Sequence, residues 1–160
     1  MASHSYLSIT GKKMGLISAG CSTQDSIGNR CQAGHTDQIL VLGLNHSMTS
    51  ASNVSHAVHN PLVIQKFLDK SSPLLAQALA DREQVDCEID LYRTTDAAQQ
   101  KYFTISLKNA RIVGLTLDIP DVLMFGDAQP TEQLVLRYDS ITWTHHAAST
   151  NGYAFWGMNE

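Results

Sequence analysis

A mainly-β domain is what the sequence predicts: a small antiparallel barrel or sandwich with one short helix beside it. Three observations carry that prediction. Val85, Cys87, Ile89 and Leu91 alternate with Asp86, Glu88 and Asp90, the period of a half-buried strand. Other runs of strand length are separated by clusters of Gly, Pro, Ser and Asn, the usual punctuation of turns. A strong helix start occurs once, at Ser72 and Pro73. About seven or eight strands and one helix imply an antiparallel barrel or sandwich, the helix closing one end.

The elements follow in order. Residues 6–10 alternate and predict a first strand, ended by Gly11; residues 14–19 predict a second, running into Gly20. Residues 21–36 are rich in turn formers and predict a loop. Residues 38–46 form a continuous apolar run, expected to be covered at least in part on both faces. Residues 47–60, dominated by Ser, Asn, Thr, Ala and His, have no core periodicity and predict a long polar loop. Long loops in compact domains are usually functional. Residues 61–68 fit either a strand or a helix by pattern, and a strand is favoured because Ser72 and Pro73 open a fresh helix so soon afterwards.

That helix is expected over about 73–82. Ser72 is placed at the cap, its hydroxyl accepting from an orphan N–H, and Pro73 at the first helical position, where a missing N–H costs nothing. Leu74, Leu75, Ala78 and Leu79 share one face at helical spacing. So short a helix is marginal alone and must dock on the sheet. Beyond it, the 85–91 strand turns at 94–99 into a long strand over 102–119, bent near 108–110. Residues 120–130 predict a loop. Over 133–146 the apolar phase switches, from Leu134, Leu136 and Tyr138 to Ile141 and Trp143, predicting a β-bulge near Asp139 and Ser140. Residues 153–156 predict a last strand.

Composition excludes several classes. The chain has 160 residues, 43% apolar and 16% charged, with a net charge of −4. One domain over 1–160 is the simplest reading of that length. Net negative charge without a Lys/Arg run argues against nucleic acid as a partner. No apolar run approaches the roughly 18 residues of a membrane span, so no membrane insertion is expected. Residues 1–15 lack the basic-then-apolar pattern of a secretory signal peptide. Of the three cysteines, Cys87 lies in the apolar alternation and predicts a core position. A Cys21–Cys31 bridge is disfavoured in a reducing cytosol.

The candidate chemistry is thin. Cys21, Cys31 and His35 share a loop, His56 and His59 another, and His145 and His146 are adjacent. None forms a tight ligand pair matched by a second pair, so no metal site is predicted. Adjacent strand residues point to opposite faces, which keeps His145 and His146 from sharing an ion. Asp86, Glu88 and Asp90 line one strand face and are expected to be solvated surface rather than acid/base machinery. Gly43 to Ser47 lacks the G-x-S-x-G nucleophile elbow, and no phosphate-cradling glycine loop follows a strand. No catalytic residue and no cofactor are predicted.

The stretch Phe67, Leu68, Asp69, Lys70, Ser71, Ser72, Pro73, Leu75 and Leu79 resembles the (I/L)DKSSP-x-L segment of haemolysin-coregulated proteins, Hcp, the tube subunits of type VI secretion systems. Further matches follow in register. They are Tyr6, Leu7, Ile9 and Gly11; Ile39, Val41 and Leu42; His59, Asn60, Pro61 and Lys66; Leu91, Tyr92 and Arg93; and Tyr102 to Ala110. Glu132, Gln133, Leu134, Leu136, Tyr138, Ile141 and Trp143 come next, and Trp156 closes the set.

The resemblance implies a small antiparallel β-barrel with one helix, forming a homo-hexameric ring around a wide channel. Rings stack into a tube inside a contractile sheath. Contraction drives the tube, its VgrG spike and effector proteins out of the cell, and the channel holds effectors beforehand. It implies no catalysis, no cofactor and, for this chain, no C-terminal toxin extension. Assembly is expected in the bacterial cytoplasm and release outside the cell or into a target cell. The resemblance places a ring-stacking loop at 47–60, with Ser47, Thr49, Ser50, Asn53, Ser55, His56 and His59 as its polar contacts. Asn45 falls where some members turn a small polar residue towards the channel, and residues 14–36 depart from the family pattern. A rival reading, a small β-barrel carrier or enzyme with a ligand inside, predicts polar groups converging on an apolar pocket.

Overall fold

The computed structural model describes residues 4–53, 55–96 and 98–157. Eleven strands are present among them: β1 (Ser5–Gly11), β2 (Gly15–Leu16), β3 (Ile39–Asn45), β4 (Met48–Thr49), β5 (Val58–His59), β6 (Leu62–Phe67), β7 (Gln84–Thr95), β8 (Ala98–Asp118), β9 (Thr131–Arg137), β10 (Ser140–His145) and β11 (Thr150–Phe155). Helix α1 (Gln24–Ile27), a 3-10 turn over Gly28–Arg30, and helix α2 (Ser72–Ala80) complete them.

Strands β8, β7, β1, β3, β6 and β9 pair in that order, and β9 pairs back onto β8, so the sheet closes into an antiparallel barrel. Strands β10 and β11 extend from the first half of β8 as a flap. The predicted alternation is what fills the interior. Leu7, Ile9, Ile39, Leu62, Ile64, Ile89, Leu107, Leu134 and Leu136 project inward and are fully buried. Cys87 is in the same core, as expected, and all three cysteines are unpaired. Burial pushes the Cys21 thiol up to about 11 and the Cys87 thiol higher still.

Irregularities bend the strands. The bend expected at 108–110 is a bulge: Val85 pairs Ala110 and Cys87 pairs Leu107, so Lys108 and Asn109 together oppose Asp86. Asn109 takes φ +51°, and its N–H donates to the Asp86 carboxylate at 2.9 Å. The bulge expected near Asp139 and Ser140 is absent. Arg137 pairs Arg111 and Ser140 pairs Lys108, so no residue is inserted there. The ladder is interrupted instead, at Tyr138 and Asp139, opposite the Asn109 bend. The apolar phase resets across that break, and the inserted residue lies on β8 between Ile112 and Gly114. In β3 a register shift between Val41 and Gly43 turns Leu42 out to 44% exposure. The expected two-sided cover therefore holds only for Ile39, Leu40 and Val41.

The region expected to be plain loop, 21–36, carries α1 and the 3-10 turn. It supplies Cys21 to the core and buries Ile27, because its turn formers are interleaved with apolar residues that cover an open barrel end. It touches the segment before α2 through Lys70 N–H on Ser26 Oγ and through the Arg30 guanidinium, 4.2 Å above the Phe67 ring.

Helix α2 docks by Leu75 and Ala78, with Leu79 partly buried against the core and Leu74 turned to solvent, unlike the expected four-residue face. It ends in a Schellman motif. Arg82 N–H donates to Leu79 C=O and Glu83 N–H to Ala78 C=O, with Arg82 in the left-handed region. Glu83 is itself buried, its carboxylate accepting from the N–H groups of Lys13 and Met14, which ties the β1–β2 turn to the helix end.

The start of α2 corrects the predicted cap. Ser71, not Ser72, occupies the capping position and makes no side-chain cap bond; Ser72 and Pro73 are the first two helical residues. The Ser72 hydroxyl instead donates to Glu132 Oε1 at 2.7 Å and accepts from Asp69 N–H at 3.0 Å and from the Lys66 ammonium at 3.3 Å. Lys66 is fully buried. Its ammonium also donates to Glu132 and to Phe67 C=O, and it forms an ion pair with Asp69 at 3.1 Å. Two carboxylates against one ammonium leave a net negative charge beside the α2 N-terminus, where the helix dipole favours it.

Candidate functional site

The polar stretch 47–60 is an arm standing off the barrel. Strands β4 and β5 form a separate two-stranded sheet, Met48 against His59 and Thr49 against Val58. The predicted loop therefore carries a short hairpin ladder. Two cross-strand pairs are too few to announce themselves by alternation. Ser47, Thr49, Ser50, Asn53, Ser55 and His56 are all exposed on it. Asn60 closes its foot twice: its N–H donates to Ser47 C=O at 3.1 Å and its side-chain amide to Ser47 Oγ at 2.8 Å.

His59 differs from its neighbours. It is only 6% exposed and turns inward with His46, the residue after β3. His46 Nε2 lies 2.7 Å and His59 Nδ1 2.6 Å from the same atom, the hydroxyl of Tyr138. Tyr138 sits in the break between β9 and β10 and is 1% exposed. His59 stacks on Trp156, which crosses Tyr138 edge-on, and His46 tilts against Trp143. The Arg137 guanidinium lies 4.9 Å from the Trp156 ring. Burial lowers both imidazole pKa values from the ordinary range, and for His46 the neighbouring His59 lowers it further. Burial pushes the Tyr138 phenol up to about 12. The cluster is therefore neutral at pH 7, and it pins both feet of the arm to the barrel.

Asn45 ends β3, paired with Val63 and exposed, one residue before His46. Ser72 and Pro73 lie apart from the arm, in the buried ionic cluster under α2. Of the other polar groups that the sequence singled out, Asp90 and His146 meet at Thr104 Oγ1, and the rest make local contacts. His35 stacks on Tyr6 at 3.8 Å, and His145 accepts from Ala148 N–H. His146 Nε2 lies 2.7 Å from Thr104 Oγ1. Asp86 and Glu88 are exposed as expected, but Asp90 is buried and accepts from Thr104 Oγ1 at 2.9 Å. Among the described residues no three His, Cys, Asp or Glu side chains gather as metal ligands would. Sequence reasoning missed two functional-looking groups. Tyr138 shares the apolar phase of Leu134 and Leu136, which leaves its hydroxyl in need of a partner, and Lys66 shares the inward phase of Leu62 and Ile64, a signal that it is buried.

One further surface is unusual. Leu117, Ile119, Val122, Met124 and Phe125 are more than half exposed around the β8–β9 turn, and Leu123 is 93% exposed. Contiguous apolar surface of this kind marks an interaction site.

Comparison with known proteins places this architecture. Residues 6–145 match the family model described as type VI secretion system effector, Hcp. The chain is 42% identical to the Major exported protein of Pseudomonas aeruginosa, over 98% of this chain and 96% of that one. Secreted protein Hcp3 from Pseudomonas aeruginosa superposes with a TM-score of 0.85 at 41% identity, covering 96% of this chain and 99% of that one. A further crystal structure of an Hcp protein gives a TM-score of 0.92 at 31% identity, over 98% and 99% of the two chains. The chain belongs to the Hcp family of type VI secretion proteins, structural components of a secretion system rather than known enzymes.

Proposed function

We propose that this chain is the inner-tube subunit of a type VI secretion machine. Copies close into hexameric rings, and the 47–60 arm of each ring docks on the next. The stacked tube carries effectors in its channel and the VgrG spike at its tip. It assembles in the cytoplasm and leaves the cell when the surrounding sheath contracts. The observation that carries this reading is the arm: a short polar hairpin projecting from a closed barrel, where the family resemblance places a stacking loop. Its exposed hydroxyls and amides suit a wet, reversible interface. The apolar β8–β9 turn supports ring closure, since a closed ring needs unlike patches that meet across each joint. Asn45, exposed at the end of β3, is assigned to the channel wall.

The rival carrier reading loses ground because the barrel interior is filled by packed aliphatic side chains. The test is to shorten the arm to a tight turn between Ser47 and Asn60. Electron microscopy is expected to show intact rings that no longer stack. Tubes as long and as frequent as those of the unaltered chain would remove the stacking role.

A further inference from the structure

We propose that His46, Tyr138 and His59 form an acid-operated latch: protonation of the two histidines frees the arm from the barrel while the barrel itself stays folded. The consequence for tubes, that acid unstacks rings, rests on the stacking role proposed above.

The argument begins with proton counting. Tyr138 has one hydroxyl proton and two imidazole nitrogens at hydrogen-bond distance, 2.7 Å for His46 and 2.6 Å for His59. With both rings neutral the bonds can all be made: the phenol donates to one ring and accepts an N–H from the other. With both rings protonated, each nitrogen carries a hydrogen, and the phenol proton loses its acceptor. Two positive charges then face one oxygen in a site where Tyr138 and His59 are buried.

Among the described residues no anionic group faces the cations. Trp156 and Trp143 are neutral, and the remaining nearby cation is Arg137, on the Trp156 ring. Asp139 follows Tyr138 but is exposed, and its backbone carbonyl is what holds the Trp156 N–H. Among the described residues no carboxylate lies within ion-pair distance of either imidazole. The direction in pH follows. Both histidines titrate lower in the latched state than the ordinary 6.5, so the latch is at full strength above that value. It weakens as pH falls through 6.5 towards the lowered values.

What yields is the arm, because little else holds it. Its own ladder has two residue pairs, its foot is closed by Ser47 and Asn60, and residues 50–53, 55 and 56 are exposed. Tyr138 directly follows β9, a strand of the closed barrel. Low-stability segments of this kind open locally, without global unfolding.

The test is hydrogen–deuterium exchange on the full chain at pH 7.5 and 5.0, corrected for intrinsic rates. Amides of residues 46–60 are expected to exchange at least tenfold faster at pH 5.0, while those of β1, β7 and β8 do not change. The double variant His46→Gln, His59→Asn keeps amide nitrogens near both ring positions but cannot titrate, and is expected to lose the pH response. Equal protection of the wild-type arm at both pH values would overturn the latch, as would an undiminished response in the variant. Should the variant fail to fold, NMR titration of the wild-type imidazoles decides: both histidines titrating at or above 6.5 overturns it. Tubes that persist while the arm exchanges freely at pH 5.0 would support the latch and remove the stacking role.

Discussion

Two polar clusters hold connections of this chain against its barrel, and they are built in opposite ways. Under α2, the Lys66 ammonium contacts the Glu132 and Asp69 carboxylates and the Ser72 hydroxyl, which in turn donates to Glu132. At the foot of the arm, two neutral imidazoles share one neutral phenol. The first cluster carries charge of both signs, each set against the other. The second carries none and has no partner ready for it. The difference separates a structural lock from a switch. A buried ion cluster is costly to break by removing one member, and it fixes the start of α2 in one geometry. A neutral histidine pair is inexpensive to hold at neutral pH and fails when protons are supplied.

The comparison is broken most severely by Lys66→Met. That change leaves two carboxylates buried without their cation and is expected to cost about 3–5 kcal/mol of folding stability. Urea unfolding monitored by tryptophan fluorescence measures it, and adding Glu132→Gln should recover part of the loss. A cost near zero would show that the cluster is not a lock. Ser72→Ala should cost less, about 1–3 kcal/mol, because it strips one donor from Glu132 and an acceptor from the Asp69 N–H rather than removing a helix cap. An unchanged melting temperature would return Ser72 to the surface. Neither substitution is expected to alter arm exchange, whose pH dependence belongs to the other cluster.

Much of the barrel was legible because its strands alternate: Leu7 and Ile9 in β1, Val85, Cys87 and Ile89 in β7, and Leu134 and Leu136 in β9 are buried at every second position, as the sequence foretold, whereas β6 buries Leu62, Ile64 and Lys66 at a period its sequence did not announce. The bulge opposite Asp86 was legible too, since polar Lys108 and Asn109 interrupt an otherwise continuous strand. The cap was misplaced because two adjacent serines are equally good cappers. Glu132, sixty residues further along, decided what the second one does. The interrupted ladder at Tyr138 looked like an insertion because a break and an insertion shift apolar phase alike. The location of the arm was legible in its composition. Its latch was not, because His46 and His59 reach Tyr138 over sequence separations of 92 and 79 residues.

The claim that this chain builds rings is tested most directly by the native mass of the purified full chain at pH 7.5. The account predicts a dominant species near six times the 17.5 kDa of one chain. A chain that remains monomeric at every concentration tried would contradict it.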